Sequence, residues 1–341
     1  MRIVVTGATG NVGTSVVEAL SAEPAVDSVL GLARRPPPSL HLPKVEWARA
    51  DITSSDLVAR FEGADVVIHL AWLIQPSHRL GVMQATNVGG SDRVLAAVAA
   101  AGVHALVYAS SVGAYSPGPK DRPVDECWPT YGVASSFYSR HKVAVERSLD
   151  RFEDEHPQVR VVRLRKALVF KREAASRIRG LFLGPLVPVS LLRPRFIPMV
   201  PATPGLVVQG VHSSDAAAAY RLAALSDARG AFNIAADPVL DVSELARLLS
   251  ARPVPVPRAA LRLAADLTWR LHLQPTPPGW VDLALSVPVL DTSRARRELG
   301  WTARVDAGEA LLGLLDGFRA GAGLPTPASS PRPGVPPSPM G

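Results

Sequence analysis

Apolar residues along this 341-residue chain fall into two recurring patterns. Short β-branched runs with no polar face, beginning with Ile3-Val4-Val5, have the character of strands buried on both sides of a parallel sheet. Between them lie stretches with apolar residues at helical spacing, such as Val16, Val17 and Leu20. In order, further strands are expected over 26–33, 45–48, 64–71, 105–109 and 159–164. Helices are expected from Asn87, with Val94, Leu95, Val98 and Ala101 on one face and Gly102 ending it, and from about Ser136 to Glu153. Strands alternating with helices predict an α/β fold with a doubly wound parallel sheet.

Composition refines that picture. A 47% hydrophobic content supplies a sizeable core. The 32 prolines concentrate after residue 184 and in the tail. Residues 1–170 and 206–236 are expected to form the sheet domain, and 171–205 and 237–322 a smaller cap with Leu181, Phe182, Leu183, Phe196, Ile197, Trp269 and Trp280. Proline, serine and glycine dominate 323–341, which predicts a disordered tail. The most apolar stretch, Leu181 to Leu192, is broken by Gly184, Pro185 and Pro188 and is too short to span a bilayer. It reads as a loop lining an apolar pocket or as a surface-docking segment. The lone Cys127 rules out an internal disulfide and suits a reducing cytoplasm, and Met1 leads straight into a strand with no signal-peptide pattern. The net charge of +7 is scattered in short groups, with neither a long basic block nor an aromatic-interleaved RNA motif, so nucleic acid is not the expected partner.

The chemistry begins at the first strand's end. Gly7, Gly10 and Gly13, with Asn11 and Val12 among them, stand between strand and helix, permitting a tight turn and close backbone approach to a dinucleotide diphosphate. This strand-turn-helix is Rossmann-type, and N–H groups at the helix start would meet the phosphate charge. At the end of the second strand, Ala33 stands where NAD-preferring folds carry an acid, and Arg34 and Arg35 follow. They suit a 2′-phosphate, which favours NADP with NAD as the alternative; otherwise they are surface charge. The fifth strand runs into Ser110 and Ser111, hydroxyls at the end of the sheet where such folds bind ligands. His69 has no partner at metal spacing, so packing is its expected role and no metal site is predicted. Tyr138 and Lys142 form a YxxxK one helical turn apart on one face. Bringing a phenol of pKa ~10 into use near pH 7 takes about 4 kcal/mol. A cation ~5 Å away supplies about 3 kcal/mol at an effective dielectric of ~20 and under ~1 in water. The pair therefore needs a partly dry cleft.

Together the glycine turn, Ser111 and Tyr138-x-x-x-Lys142 resemble the extended branch of the short-chain dehydrogenase/reductase superfamily, specifically the NAD-dependent epimerase/dehydratase family, over roughly residues 1–320. Later landmarks agree in order: Val211 to Asp215, Phe232 to Ala235, and Asp291 through Trp301. The resemblance implies that Tyr138 is the acid/base, that Lys142 binds the nicotinamide ribose and lowers the tyrosine pKa, and that Ser111 polarises the substrate oxygen, with Ser110 the alternative hydroxyl. It places Asp51 and Ile52 beside the adenine, unless Asp51 caps the helix from Asp56 onward. Leu70, Ala71 and Asn87 also fall to the cofactor. A small-molecule substrate is implied, and a homodimer paired through the YxxxK helix and the one before it.

Departures from the family pattern shape the expected reaction. Lys166 follows Arg165 where the family carries proline, and Lys171-Arg172 replaces Gly-Pro. Lys166 either binds an anionic substrate, alters cofactor affinity or points outward. Leu168 stands at a substrate position where nucleotide-sugar members carry asparagine, and Val112-Gly113 replace the Asp-Glu of sugar dehydratases, leaving no local acid and base for water elimination. The expected activity is hydride transfer at a secondary alcohol or ketone. The alternatives are a nucleotide-sugar epimerase with tightly held NAD and a non-catalytic dinucleotide-binding regulator.

Overall fold

The computed structural model describes residues 1–37, 40–75, 77–184, 197–324 and 326. Strand β1 (Arg2–Thr6) is flanked by β2 (Ser28–Ala33) and β4 (Val66–His69), with β3 (Val45–Arg49) outside β2. Helix α1 (Asn11–Ser21) follows β1; two short helices, α2 (Val58–Phe61) and α3 (Leu80–Gln84), flank β4, and α4 (Gly90–Ala100) precedes β5 (Ala105–Tyr108). After the two-residue β6 (Pro123–Val124) come the long α5 (Phe137–Glu155) and β7 (Arg160–Lys166). The C-terminal half holds β8 (Leu168–Phe170), α6 (Ala175–Ile178), β9 (Met199–Ala202), β10 (Val207–His212), α7 (Ser213–Leu225) and β11 (Gly230–Ile234). It continues through β12 (Ala236–Asp241), α8 (Val242–Leu249), β13 (Arg252–Pro255), α9 (Arg258–Arg270), α10 (Gly279–Ser286), β14 (Val289–Leu290), α11 (Ser293–Leu299) and α12 (Ala307–Ala320).

Seven strands form one sheet in the order β11-β7-β5-β4-β1-β2-β3, every pair parallel. Chain direction across the sheet reverses between β1 and β4, and the crevice beyond their carboxyl ends is the ligand position of such sheets. The strand cores are two-sided, as their apolar runs require. Ile3 and Val5 face a layer containing Val16, Leu20 and Tyr220, whereas Val4 faces one containing Val98, Val145 and Leu149. Burying each such side chain contributes roughly 1.5–3 kcal/mol.

A three-stranded sheet of β12-β10-β8 leans on α12 through Phe170, Leu240, Leu314 and Phe318. Residues 206–236, assigned above to the sheet domain, are thus divided: β10 pairs in the small sheet, while Tyr220 of α7 and Phe232 of β11 belong to the main core. Among the tail residues, Thr326 is buried and its hydroxyl donates to the carbonyl of Thr9 in the glycine turn. Residues 327–341 and 185–192 of the apolar stretch lie outside the described residues. No helix among the described residues is long and apolar enough to cross a membrane.

Candidate active site

Two of the three glycines are dictated by the turn. Gly7 has φ +73°, and a Cβ there would lie 2.6 Å from the Ala71 amide nitrogen; one on Gly13 would lie 2.4 Å from the Gly7 carbonyl. Neither clash can be relieved by turning a flexible side chain, since backbone atoms are on the other side. The turn is thereby pressed against the end of β4 at the reversal point. Gly10 faces more open space, with Arg177 Nη1 3.9 Å from where its Cβ would stand.

A groove open to solvent runs over this turn. Gly7 and Gly10 line it, with Arg34 and Arg35 at the end of β2, Asp51 and Ile52 after β3, and Leu70 and Ala71 after β4. Eight residues expected at a cofactor are therefore gathered in one place. Asp51 does not cap α2; its carboxylate accepts from the Thr53 amide and hydroxyl, and although burial opposes it, those bonds and Arg34 hold its pKa below the ordinary value. Val12 packs against the core, and Asn11 lies beside the turn with its Oδ1 buried and unpartnered among the described residues. Asn87 is placed differently. Its amide accepts from the Leu73 N–H at 2.7 Å and donates to the Leu73 carbonyl at 2.8 Å, so its side chain shapes the loop after β4 and does not line the groove. Thr9, Trp72, Leu73, Thr86 and Arg177 also line it and were not anticipated.

At the other end of the crevice, α5 is tied down by Ser139. Its hydroxyl donates to the Gly113 carbonyl at 2.6 Å and accepts from the Val133 amide at 2.7 Å, while Ser136 caps the helix. The preceding residue, Tyr138, is thereby held beside Ser111: its ring and the Ser111 hydroxyl flank Gly113, and that hydroxyl pulls the phenol pKa down. Ser111 also accepts from the Gly113 amide at 3.1 Å. Gly113 must be small: a Cβ would lie 2.9 Å from the Tyr138 ring.

The two candidate serines have separate fates. Ser110 is fully buried and donates to Glu146, whose carboxylate also receives Arg163 and Arg165. Burial would raise the Glu146 pKa, but Arg165 and Arg163, with the Ser110 hydroxyl, hold it at about 2. Only Ser111 keeps its hydroxyl beside the phenol.

Lys142 Nζ donates to the Ala109 carbonyl at 2.7 Å and the Tyr108 hydroxyl at 3.2 Å, and stands 3.4 Å over the Trp72 ring centroid. It lies 5.9 Å from the Tyr138 ring centroid. Burial pushes its pKa well down, Lys166 adds to that, and Glu146 opposes it. Tyr138 is pushed up to about 12 by burial, against the pull of Ser111. The depressed phenol anticipated from the YxxxK spacing is thus not a property of the protein groups alone, because the ammonium is engaged by two oxygens and an indole face.

Lys166 points inward, which excludes the outward alternative. Its Nζ donates to the Ser110 carbonyl at 2.9 Å, lies 5.8 Å from the Tyr220 ring centroid, and has its pKa lowered to about 8 by burial. Leu168, by contrast, stands 47% exposed on β8. Lys171 turns its ammonium to the hydroxyls of Thr14 and Ser15 on α1. Around the phenol the walls are aromatic: Trp280 at 4.8 Å between ring centroids and Trp72 edge-on at 5.9 Å, with Phe182 in turn 5.1 Å from Trp280.

His69 is a buried spacer, hydrogen-bonded to Thr6 at 2.7 Å and Ser91 at 2.9 Å, with its pKa lowered to about 3 by burial and by Lys142. No group of three His, Cys, Asp or Glu suited to a metal comes together among the described residues.

The groove fits an anionic dinucleotide: a glycine cradle that side chains would fill, three arginines against one carboxylate, and Trp72 in its lining, whose ring lies 5.9 Å from that of Tyr138. An uncharacterised protein of Mycobacterium tuberculosis is 27% identical over 96% of this chain and 86% of its own length. L-arabinose 1-dehydrogenase (NAD(P)(+)) of Haloferax volcanii is 37% identical over 32% of this chain and 41% of its own. Among solved structures, MoeE5 in complex with UDP-glucose and NAD superposes with a TM-score of 0.67 at 24% identity, covering 94% of this chain and 99% of that one. The model of the NAD dependent epimerase/dehydratase family matches residues 3–177, so that the chain, with its Rossmann-like sheet, belongs to that family.

Proposed function

We propose that this protein is an NAD(P)-dependent oxidoreductase that interconverts a secondary alcohol and a ketone, with NADP preferred. The observation that carries the reading is the gathering of Tyr138, the Ser111 hydroxyl and the Lys142 ammonium in one buried cleft, which Trp72 joins to the glycine-turn groove. A bound nicotinamide supplies the hydride donor or acceptor. Ser111 orients the substrate oxygen, and the Tyr138 phenol takes or gives its proton. Lys142 holds the ribose hydroxyls and, with the positive nicotinamide ring, offsets the burial that raises the phenol pKa. Trp72, Trp280 and Phe182 favour an apolar substrate over a polar sugar, since each aromatic face turned to the cleft gains by shedding water onto an apolar partner.

The experiment is a substrate panel of apolar secondary alcohols and ketones beside nucleotide sugars, followed at 340 nm with NADP and NAD. Turnover of an apolar ketone that disappears in Tyr138→Phe supports the reading. Cofactor binding with no turnover on any alcohol or ketone, together with epimerisation of a nucleotide sugar by protein carrying its own NAD, overturns it.

A further inference from the structure

Arg177 stands apart from the other cations at the cofactor groove, because it comes from the cap segment and not from the sheet. It lies on α6, a four-residue helix whose neighbours fix it firmly. Ala174 and Ala175 are fully buried, the Ser176 hydroxyl donates to the Ala322 carbonyl at 2.8 Å, and Gly317 of α12 lets the backbone of Arg172 pass closely. The guanidinium itself is held by nothing of the kind. Among the described residues it makes no hydrogen bond and no ion pair, although it is partly buried and Nη1 is directed toward Gly10. Arg34 faces the same space from the end of β2, near enough that it and burial both lower the Arg177 pKa.

Two guanidinium groups converging without a carboxylate between them is an unfavourable arrangement unless an anion completes it. The one acid lining the groove, Asp51, is engaged by Thr53. Five donors in a rigid fork suit phosphate oxygens, and a cation bound to a packed scaffold is already oriented for them.

We propose that Arg177 is a phosphate-binding residue of the cofactor site, clamping a phosphate group of the dinucleotide against the glycine turn from the cap side. This rests on the reading of the groove as a dinucleotide site. Its position between Gly10 and Arg34 puts two phosphates within the same chemistry, the diphosphate over the turn and the 2′-phosphate beside Arg34. The clamp makes cofactor binding and placement of the cap one event, since the residue that grips the phosphate is carried by the segment leading to Phe182 at the catalytic cleft.

The test is calorimetric titration of the cofactor-free full chain with NADP and with NAD, for wild type, Arg177→Gln and Arg177→Lys. Arg177→Gln is expected to weaken NADP at least tenfold and to leave the unliganded melting temperature unchanged, as the guanidinium makes no internal bond. Arg177→Lys, which keeps the charge and serves alone if the glutamine variant does not fold, is expected to weaken NADP by less than Arg177→Gln but measurably. Loss confined to NADP identifies the 2′-phosphate, and equal loss for NAD identifies the diphosphate. Variants that bind both dinucleotides within twofold of wild type overturn the proposal while leaving the dinucleotide site intact. Wild type that binds neither overturns both.

Discussion

The hydroxyl of Ser110 donates to the carboxylate of Glu146, and this bond decides which of two adjacent serines is free to act. Glu146 is itself held by Arg163 and Arg165 and is almost wholly buried, so Ser110 belongs to an ion network beneath the sheet's end. Ser111, pointing the other way along the strand, meets Tyr138. The two alanine substitutions should therefore differ in kind. Ser111→Ala should lower kcat about 10²- to 10³-fold with the melting temperature nearly unchanged. Ser110→Ala should cost about 1–3 kcal/mol of stability by leaving a buried acceptor short of a donor, with kcat of the folded fraction reduced far less. Denaturant unfolding beside single-substrate kinetics checks both, and the opposite assignment of losses would give Ser110 the catalytic place.

Tyr138→Phe removes the hydroxyl proposed to carry the proton while keeping the ring between Trp72 and Trp280. Turnover should fall by at least ~10³-fold with the dissociation constant for NADP within about threefold of wild type. Because burial places the phenol near 12 in the protein alone, the pKa seen in the wild-type kcat profile should appear only when cofactor is bound and lie well below that figure. A phenol that titrates by ultraviolet absorbance at the same pH with and without NADP would mean that the cofactor's charge does not govern it.

The parallel sheet and the YxxxK helix were legible because the strands and the helix each follow from local pattern. Ile3, Val4 and Val5 have no polar face to turn outward, and Tyr138 and Lys142 share a helical face by spacing alone. The direction of Lys166 stayed open in the sequence, although the two-residue period that puts it on one face with Val162 and Leu164, both fully buried, was the signal that could have found it. Arg177 was not legible. It reaches Gly10 across 167 positions of chain through the packing of α6 on α12, and nothing near it in sequence marks a phosphate. Asn87 illustrates the converse, since a residue expected at the cofactor is occupied with both backbone groups of Leu73.

That occupation has a measurable consequence. Asn87 replaces two backbone bonds that the loop after β4 cannot make with a neighbouring strand, and it is fully buried. Asn87→Ala should cost about 2–4 kcal/mol, two buried groups being left without partners, and should weaken dinucleotide binding through disorder of the loop carrying Trp72 and Leu73. Asn87→Asp keeps the acceptor alone and should fall between. Faster amide exchange confined to residues 70–75 in Asn87→Ala is the expected signature; unchanged exchange there would remove the loop-shaping role.

Acid should loosen the protein in two stages, set by two of the buried groups whose pKa values lie below their ordinary ones, His69 and Glu146. His69, between Thr6 and Ser91, is lowered from 6.5 to about 3, so below pH 6.5 the unfolded chain binds a proton that the folded chain refuses. Stability present above 6.5 is then lost progressively as pH falls toward 3. Glu146, lowered from 4.5 to about 2 although burial opposes the shift, behaves likewise in a lower window: its ion pairs stabilise the fold above 4.5 and that contribution is lost as pH falls toward 2. His69→Gln keeps an amide able to bond Thr6 or Ser91 but does not titrate, so its melting temperature should decline less between pH 6.5 and 5 than that of wild type, the depressed His78, His141 and His212 being common to both. Between pH 4.5 and 3 both should fall, wild type more steeply, and below pH 3 in parallel, as Glu146 is common to both. Parallel curves across the whole range would show that His69 is not the group whose protonation opens the β1–β4 end of the crevice.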